Sequence, residues 1–267
     1  MKRVVYLFLI IPMMLLSQVN ESDTLKVKAS LSITGFYQSG NVETFIFRAK
    51  TDLSVKPWKN WVFKNQNSYI YQEFGKEKAD EDILSLNFLY LNPNRKIYPF
   101  ALGFVSTNFR REIDLRYLVG AGVTFQIINK KDHWLKVSVS SEYEQTRFSE
   151  TDFNFSQYDG QRSINTLRST LWVNGKYSLF KNKLIFTHES YVQPSLEESN
   201  NYRWQADVGL ELPIWKFLNL KLNYRYTFEN IVIEVNSDKF DCKINQIEEF
   251  FKFSDDKKVL SQELVYK

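Results

Sequence analysis

Along most of this chain apolar and polar residues alternate one for one. In residues 25–38 one face reads Leu25, Val27, Ala29, Leu31, Ile33, Gly35 and Tyr37, and the other reads Lys26, Lys28, Ser30, Ser32, Thr34, Phe36 and Gln38. A period of two puts successive side chains on opposite faces of a β-strand. Such a run is far longer than the roughly five or six residues of an ordinary soluble strand, and longer than the roughly nine to eleven that cross a bilayer at a tilt.

The alternation returns in residues 44–56, 115–127, 133–146, 202–212 and 218–228. Its polar faces carry full charges: Arg48, Lys50 and Asp52, then Arg116, Glu142 and Glu144, then Arg203, Asp207 and Glu211, then Lys221 and Arg225. An apolar face backed by a charged one is the pattern of a barrel with lipid outside and a wet lumen inside. Weaker strands over 61–73, 83–92, 97–109, 163–178 with Arg168, 183–193 and 259–267 complete the set. The pattern therefore predicts an all-β, up-and-down antiparallel transmembrane β-barrel of about twelve strands.

Five short turns, at 57–60, 93–96, 129–132, 179–182 and 213–216, separate the strands at one end. The connections at the other end, 39–43, 74–82, 110–114, 147–162, 194–200 and 230–258, are longer and polar. Barrels of this kind keep short turns on the periplasmic side. Trp58, Trp61, Trp134, Phe180 and Trp215 cluster at the short turns and are expected to form an aromatic girdle at that interface. Lys or Arg at these turns suits anionic head groups, and equally suits solubility and protection of strand edges.

Residues 1–18 predict a cleavable signal peptide, leaving 19–267 as one barrel domain. Lys2 and Arg3 precede an apolar run over 4–16, followed by Ser17 and Gln18. That run is short for a membrane helix, and no later stretch reaches eighteen apolar residues. Aromatics make up 16% of the chain while its mean hydropathy is negative, as suits a greasy exterior around a polar interior.

The segment Asp114, Leu115, Arg116, Tyr117, Leu118, Val119, Gly120, Ala121, Gly122 resembles the hallmark of the outer-membrane barrel family catalogued as domain of unknown function 481, described as salt-stress-induced outer-membrane proteins. Ser39-Gly40-Asn41, Arg147-Phe148-Ser149 and Leu264-Val265-Tyr266 agree with it in order, so the likeness covers nearly all of the mature chain. The resemblance implies a barrel in the bacterial outer membrane and no established catalytic residues. Members commonly end in Phe, whereas this sequence ends Tyr266-Lys267. On its own physics, a glycine within a strand relieves crowding inside a barrel.

Candidate chemistry is sparse. The chain has two histidines, His133 beside a turn and His188, which shares a strand face with Ser190 and precedes Asp207 on the next strand. Residues two apart on a strand lie roughly 6 to 7 Å from each other, an awkward span for the roughly 3 Å contact of a nucleophile and its base, so no catalytic residue is expected. An outer-membrane enzyme of lipase or protease type using His188 is the alternative. Cys242 is the single cysteine, which excludes a thiolate metal cluster or an internal disulfide. The acidic runs 77–82 and 255–256 read as solvated loop tips; no metal or cofactor is expected. A net charge of +4 gives no support to nucleic-acid binding.

The lumen remains. Pairing about the 129–132 turn brings Arg116 close to Glu144 and Gln145, and pairing about 213–217 sets Asp207 against Arg225 and Glu211 against Lys221. The expectation is a monomer among outer-membrane lipids and lipopolysaccharide, inserted by the barrel-assembly machinery. Its role is either to brace the membrane or to pass solutes through a narrow pore, with a link to salt or envelope stress from the resemblance. A receptor or adhesin built on the long last loop is a further alternative.

Overall fold

The computed structural model describes residues 26–40, 43–130, 132–215, 218–234, 244–255 and 258–266. The expected signal peptide, Asn41, Cys242 and the side chain of Trp215 lie outside the described residues. Thirteen strands follow one another: β1 (Val27–Gln38), β2 (Thr44–Trp58), β3 (Trp61–Phe74), β4 (Glu77–Leu91), β5 (Ile97–Asn108), β6 (Ile113–Asn129), β7 (His133–Phe148), β8 (Ser163–Leu179), β9 (Leu184–Pro194), β10 (Tyr202–Trp215), β11 (Leu218–Glu229), β12 (Ile244–Asp255) and β13 (Lys258–Tyr266). Each pairs antiparallel with the next in one up-and-down sheet.

The faces of this sheet are reversed relative to a soluble protein. Arg116, Lys136, Glu142, Glu144, Arg168, Arg203 and Glu229 are buried, whereas Val119, Val139, Leu171, Val192, Val208 and Leu210 are exposed. The sheet also curls, because side chains on its inner face meet across several strands. Phe88 of β4 packs on Trp172 of β8 with centroids 5.4 Å apart, and Arg116 of β6 bonds Glu229 of β11. A curled up-and-down sheet, apolar outside and charged inside, is a membrane-spanning β-barrel.

Three expectations need correction. The count is thirteen, because β12 forms inside the stretch read as the last long loop; its segment carries Glu248 and Glu249 and hides its alternation. The predicted loop at 74–82 is a hairpin in which only Gly75 and Lys76 turn the chain, with φ of 60° and 71°. Two successive positive φ values give the turn whose twist matches that of the strands, so the acidic run continues as β4 rather than forming a loop tip. The expected outward loop at 147–162 folds inward instead. Phe153 and Tyr158 pack with Ile113, Phe148, Ile164, Ile231 and Ile233 in one buried cluster.

A charge network across the candidate functional lumen

Alternation decides which side chains reach the lumen, and strand ends decide their height. Arg116 near the start of β6, Glu144 near the end of β7, Arg168 near the start of β8, Gln193 at the end of β9, Arg203 at the start of β10 and Glu229 at the end of β11 all lie toward the outer end. Glu144 is the hub. Arg168 donates to it at 3.0 and 3.2 Å, Arg203 donates from both terminal nitrogens, Thr146 donates at 3.0 Å and Arg116 Nε stands 3.7 Å away.

Glu229 is the second hub. Both terminal nitrogens of Arg116 donate to it, Arg111 Nη1 donates at 3.0 Å and Arg203 Nη1 lies at 3.7 Å. The outlying donors are also used. Arg168 bonds Asn201 Oδ1 at 2.6 Å and Arg203 Nε bonds Gln193 Oε1 at 2.6 Å. Each carboxylate thus meets at least three guanidinium groups, which is what allows ions to remain charged so far from bulk water. Four arginines on two glutamates leave a surplus of positive charge.

Above the network the outer mouth is strapped. Asn154 N donates to Val232 O at 3.1 Å, Glu234 N to Asp152 O at 2.8 Å, and Phe153 bridges Ile233. Below it, Thr170 donates to Glu142 Oε2 at 2.9 Å and Ser140 donates to the other oxygen. Farther toward the short turns lies a cavity of about 40 Å³ lined by Lys64, Trp134, Lys136, Trp172 and Glu189 among others. It has room for a few water molecules and none for a sugar-sized solute.

The other sequence-derived residues divide clearly. Asp52 accepts from Gln66 at 2.7 Å and Ser30 at 3.3 Å, and Arg48 and Lys50 share its face of β2, Lys50 being exposed. Asp207 pairs with Arg225 at 2.9 Å, and Glu211 stands in register with Lys221. Arg116 does not stand opposite Glu144 or Gln145. Bulges between Ile113 and Leu115 and between Gln126 and Ile128 set it against Thr146, although its long side chain still reaches Glu144.

Among the interface aromatics, Trp58 and Phe180 are exposed and Trp61 is half-buried, but Trp134 is buried in the lumen with the Lys136 ammonium 5.2 Å from its ring. Its parity with Lys136 and Ser138 explains the correction; nearness to a turn was the weaker guide.

The glycines of the hallmark segment acquire a reason. A Cβ on Gly120 would collide with Glu142 and the Ser141 carbonyl, and one on Gly122 would strike Phe100 and Ser140. Both face inward, and Gly120 clears the space for Glu142. Leu115 is half-buried, Tyr117 donates to Gln145, and Asp114 lies 3.9 Å from Arg147 on the surface. Gly40 ends β1 in extended backbone.

His188 lies on the outer face, stacked on Tyr177 and beside Phe186, opposite exposed Val208. Asp207 faces the lumen. Ser190, His188 and Asp207 therefore cannot form one constellation. Among the described residues no group of His, Cys, Asp and Glu is arranged to hold a metal ion.

Sequence reasoning missed Glu229 and Arg111. Glu229 continues the polar parity of Asn223, Arg225 and Thr227 beyond the predicted strand end at 228, so extending β11 by one residue would have found it. Arg111 sits in a short 3-10 turn, where no alternation marks direction.

These features define a membrane-spanning β-barrel of porin-like architecture with a crowded, ionic lumen. The chain belongs to the DUF481 family of proteins of unknown function, whose sequence model matches residues 31–245. A solved structure described as the NanC porin in a rhombohedral crystal form is similar in fold, with a TM-score of 0.50 and 12% identity, over 84% of this chain and 100% of that one. No curated protein matches the sequence.

Proposed function

We propose that the protein is a structural barrel of the bacterial outer membrane, a wall element whose lumen passes few ions at rest. The observation that carries this reading is the bond between Arg116 of β6 and Glu229 of β11, which ties opposite sides of the lumen together beneath a strapped mouth. A barrel that adds wall without adding a leak serves an envelope under ionic stress, which is the salt-linked role the family resemblance implies. Its partners on this reading are outer-membrane lipids, lipopolysaccharide and the barrel-assembly machinery. No catalytic centre is part of it, and a lipase or protease activity lost in His188→Ala would overturn that point.

A second reading, a narrow passive pore, is favoured by the likeness to a porin and by exposed Lys50 on the lumen face of β2. Conductance of the folded protein in a planar bilayer separates the two. A protein that shifts on heating in a gel, as folded barrels do, yet gives no resolved steps supports the structural role. Stable steps whose anion preference is reversed by Lys50→Glu would replace it with the pore.

A further inference from the structure

Where β6 to β10 face lipid they are apolar, but β2 to β4 place five polar side chains there in one block: Thr51, Asn65, Asn67, Ser85 and Asn87. Register fixes their direction. Lys64 and Gln66, on the other face of β3, pair with Phe88 and Leu86, which share the inward face of β4 with buried Tyr90. Asn65 and Asn67 therefore point outward.

On β3 the outward face reads Trp61, Phe63, Asn65, Asn67, Tyr69, Tyr71. Ten residues at about 3.4 Å each, tilted by about 40°, span about 26 Å of height, which matches the apolar band of a barrel. The two asparagines stand midway between aromatic ends, at the centre of the hydrocarbon.

Lipid tails offer them no hydrogen bond. The block satisfies itself in part: Asn65 Nδ2 donates to Asn87 Oδ1 at 2.7 Å, Asn67 Nδ2 to Asn65 Oδ1 at 2.6 Å and to Thr51 Oγ1 at 3.0 Å, and Asn87 Nδ2 to Ser85 Oγ at 3.2 Å. One N–H of Asn87 and the Ser85 hydroxyl proton remain without a partner among the described residues, and the Asn87 oxygen retains a second lone pair.

Directly opposite Asn87 on β5 is Gly103. A glycine inside a strand weakens it. Gly120, Gly122, Gly175 and Gly209 are each explained by a neighbour that a Cβ would strike, and Gly75 by its positive φ. At Gly103 a Cβ would meet nothing within 4 Å, and its φ is not in the left-handed region. Nothing within the barrel requires that glycine, so its use lies outside the barrel.

We propose that this face docks a second copy of the chain within the bilayer, as a two-fold dimer centred on Asn87 and Gly103, in place of the expected monomer. A two-fold contact sets a surface against itself, so it must offer donors and acceptors together. The spare N–H and lone pair of Asn87 do so, and an amide pair between two Asn87 side chains satisfies both. Gly103 lets the two walls approach, as small residues do between membrane segments.

The test uses the full chain carrying Cys242→Ser, with Asn87→Cys on this face or Val208→Cys on the opposite wall, in lipid vesicles under mild oxidation. A disulfide-linked dimer from Asn87→Cys, with only background from Val208→Cys, is expected. Equal and low cross-linking from both overturns the proposal, and so does an adduct between Asn87→Cys and a different envelope protein in whole cells. Sedimentation of the chain with native Gly103 against Gly103→Trp, in detergent, gives an independent reading. About ten-fold weaker dimerisation of the variant, equivalent to about 1.4 kcal/mol, is expected, and unchanged association overturns the proposal. Conductance does not enter either measurement, so the outcome stands apart from the reading of the lumen.

Discussion

The wall from β3 to β5 and the wall from β6 to β11 solve one problem with opposite chemistries. On the second wall the lumen side holds Arg116, Glu142, Glu144, Arg168, Arg203 and Glu229, and the lipid side holds Val119, Val139, Leu171 and Val208. On the first, the lumen side of β4 and β5 holds Phe88, Tyr90, Tyr98 and Phe100 in one buried cluster, while the lipid side of β3 and β4 carries the asparagine block. The lumen of a barrel therefore has no required polarity. What it requires is filled volume and satisfied polar groups, and aromatic rings or clasped ions supply these equally well.

The largest effects should come from breaking each filling in its own way. Glu144→Ala leaves Arg116, Arg168 and Arg203 buried around a lost hub, and a loss of about 3–5 kcal/mol is expected because uncompensated buried charge is the costliest residue of a broken pair. Phe88→Ala on the other wall should cost a similar 3–5 kcal/mol, through the cavity it opens beside Tyr90, Phe100 and Trp172. Reversible urea unfolding in vesicles measures both. The chemistry separates them: Phe88→Leu should recover most of its loss, while Glu144→Gln, equal in volume but uncharged, should recover little. Recovery by Glu144→Gln would mean that volume, not charge, holds the second wall.

Glycines give the intermediate test. Gly120→Ala should cost about 1–3 kcal/mol, since the added carbon meets the Ser141 carbonyl backbone, which cannot swing aside. Gly103→Ala should cost nothing and add a few tenths of a kcal/mol to the isolated barrel, because its Cβ enters open space and the unfolded chain loses freedom. The same unfolding assay, run on dilute protein, reads both. Equal losses at the two positions would erase the distinction between an inward and an outward glycine.

What sequence made legible was local. Strand parity follows from alternation, so Glu142, Glu144, Arg168 and Arg203 could be assigned inward before any coordinates. Register across one short turn is nearly as local, and Asp207 meets Arg225 through it. The hub itself was not legible, because the meeting of Arg116 with Glu229, five strands later, depends on how tightly the sheet curls. The wall from β3 to β5 was opaque for another reason. With rings inside and asparagines outside, its alternation carries the wrong sign, and a rule that equates polar with inward has nothing to read.

The smallest effect is expected where the lumen opens. Asp207 and Arg225 form the shortest printed contact of their part of the lumen, at 2.9 Å, yet the Arg225 side chain is 48% exposed. Water beside the pair weakens its attraction, and holding two long side chains in one arrangement costs entropy, so Arg225→Ala should cost about 0–1 kcal/mol. Salt sharpens the contrast with the hub. At 1 M the screening length falls to about 3 Å, which removes most of an exposed pair's attraction and leaves a buried one nearly intact. The penalty of Arg225→Ala should therefore vanish in 1 M salt while that of Glu144→Ala persists. If high salt erased both penalties, the guanidinium groups around Glu144 would be in contact with bulk solvent, and the lumen beneath the strapped mouth would be an open, ion-filled path.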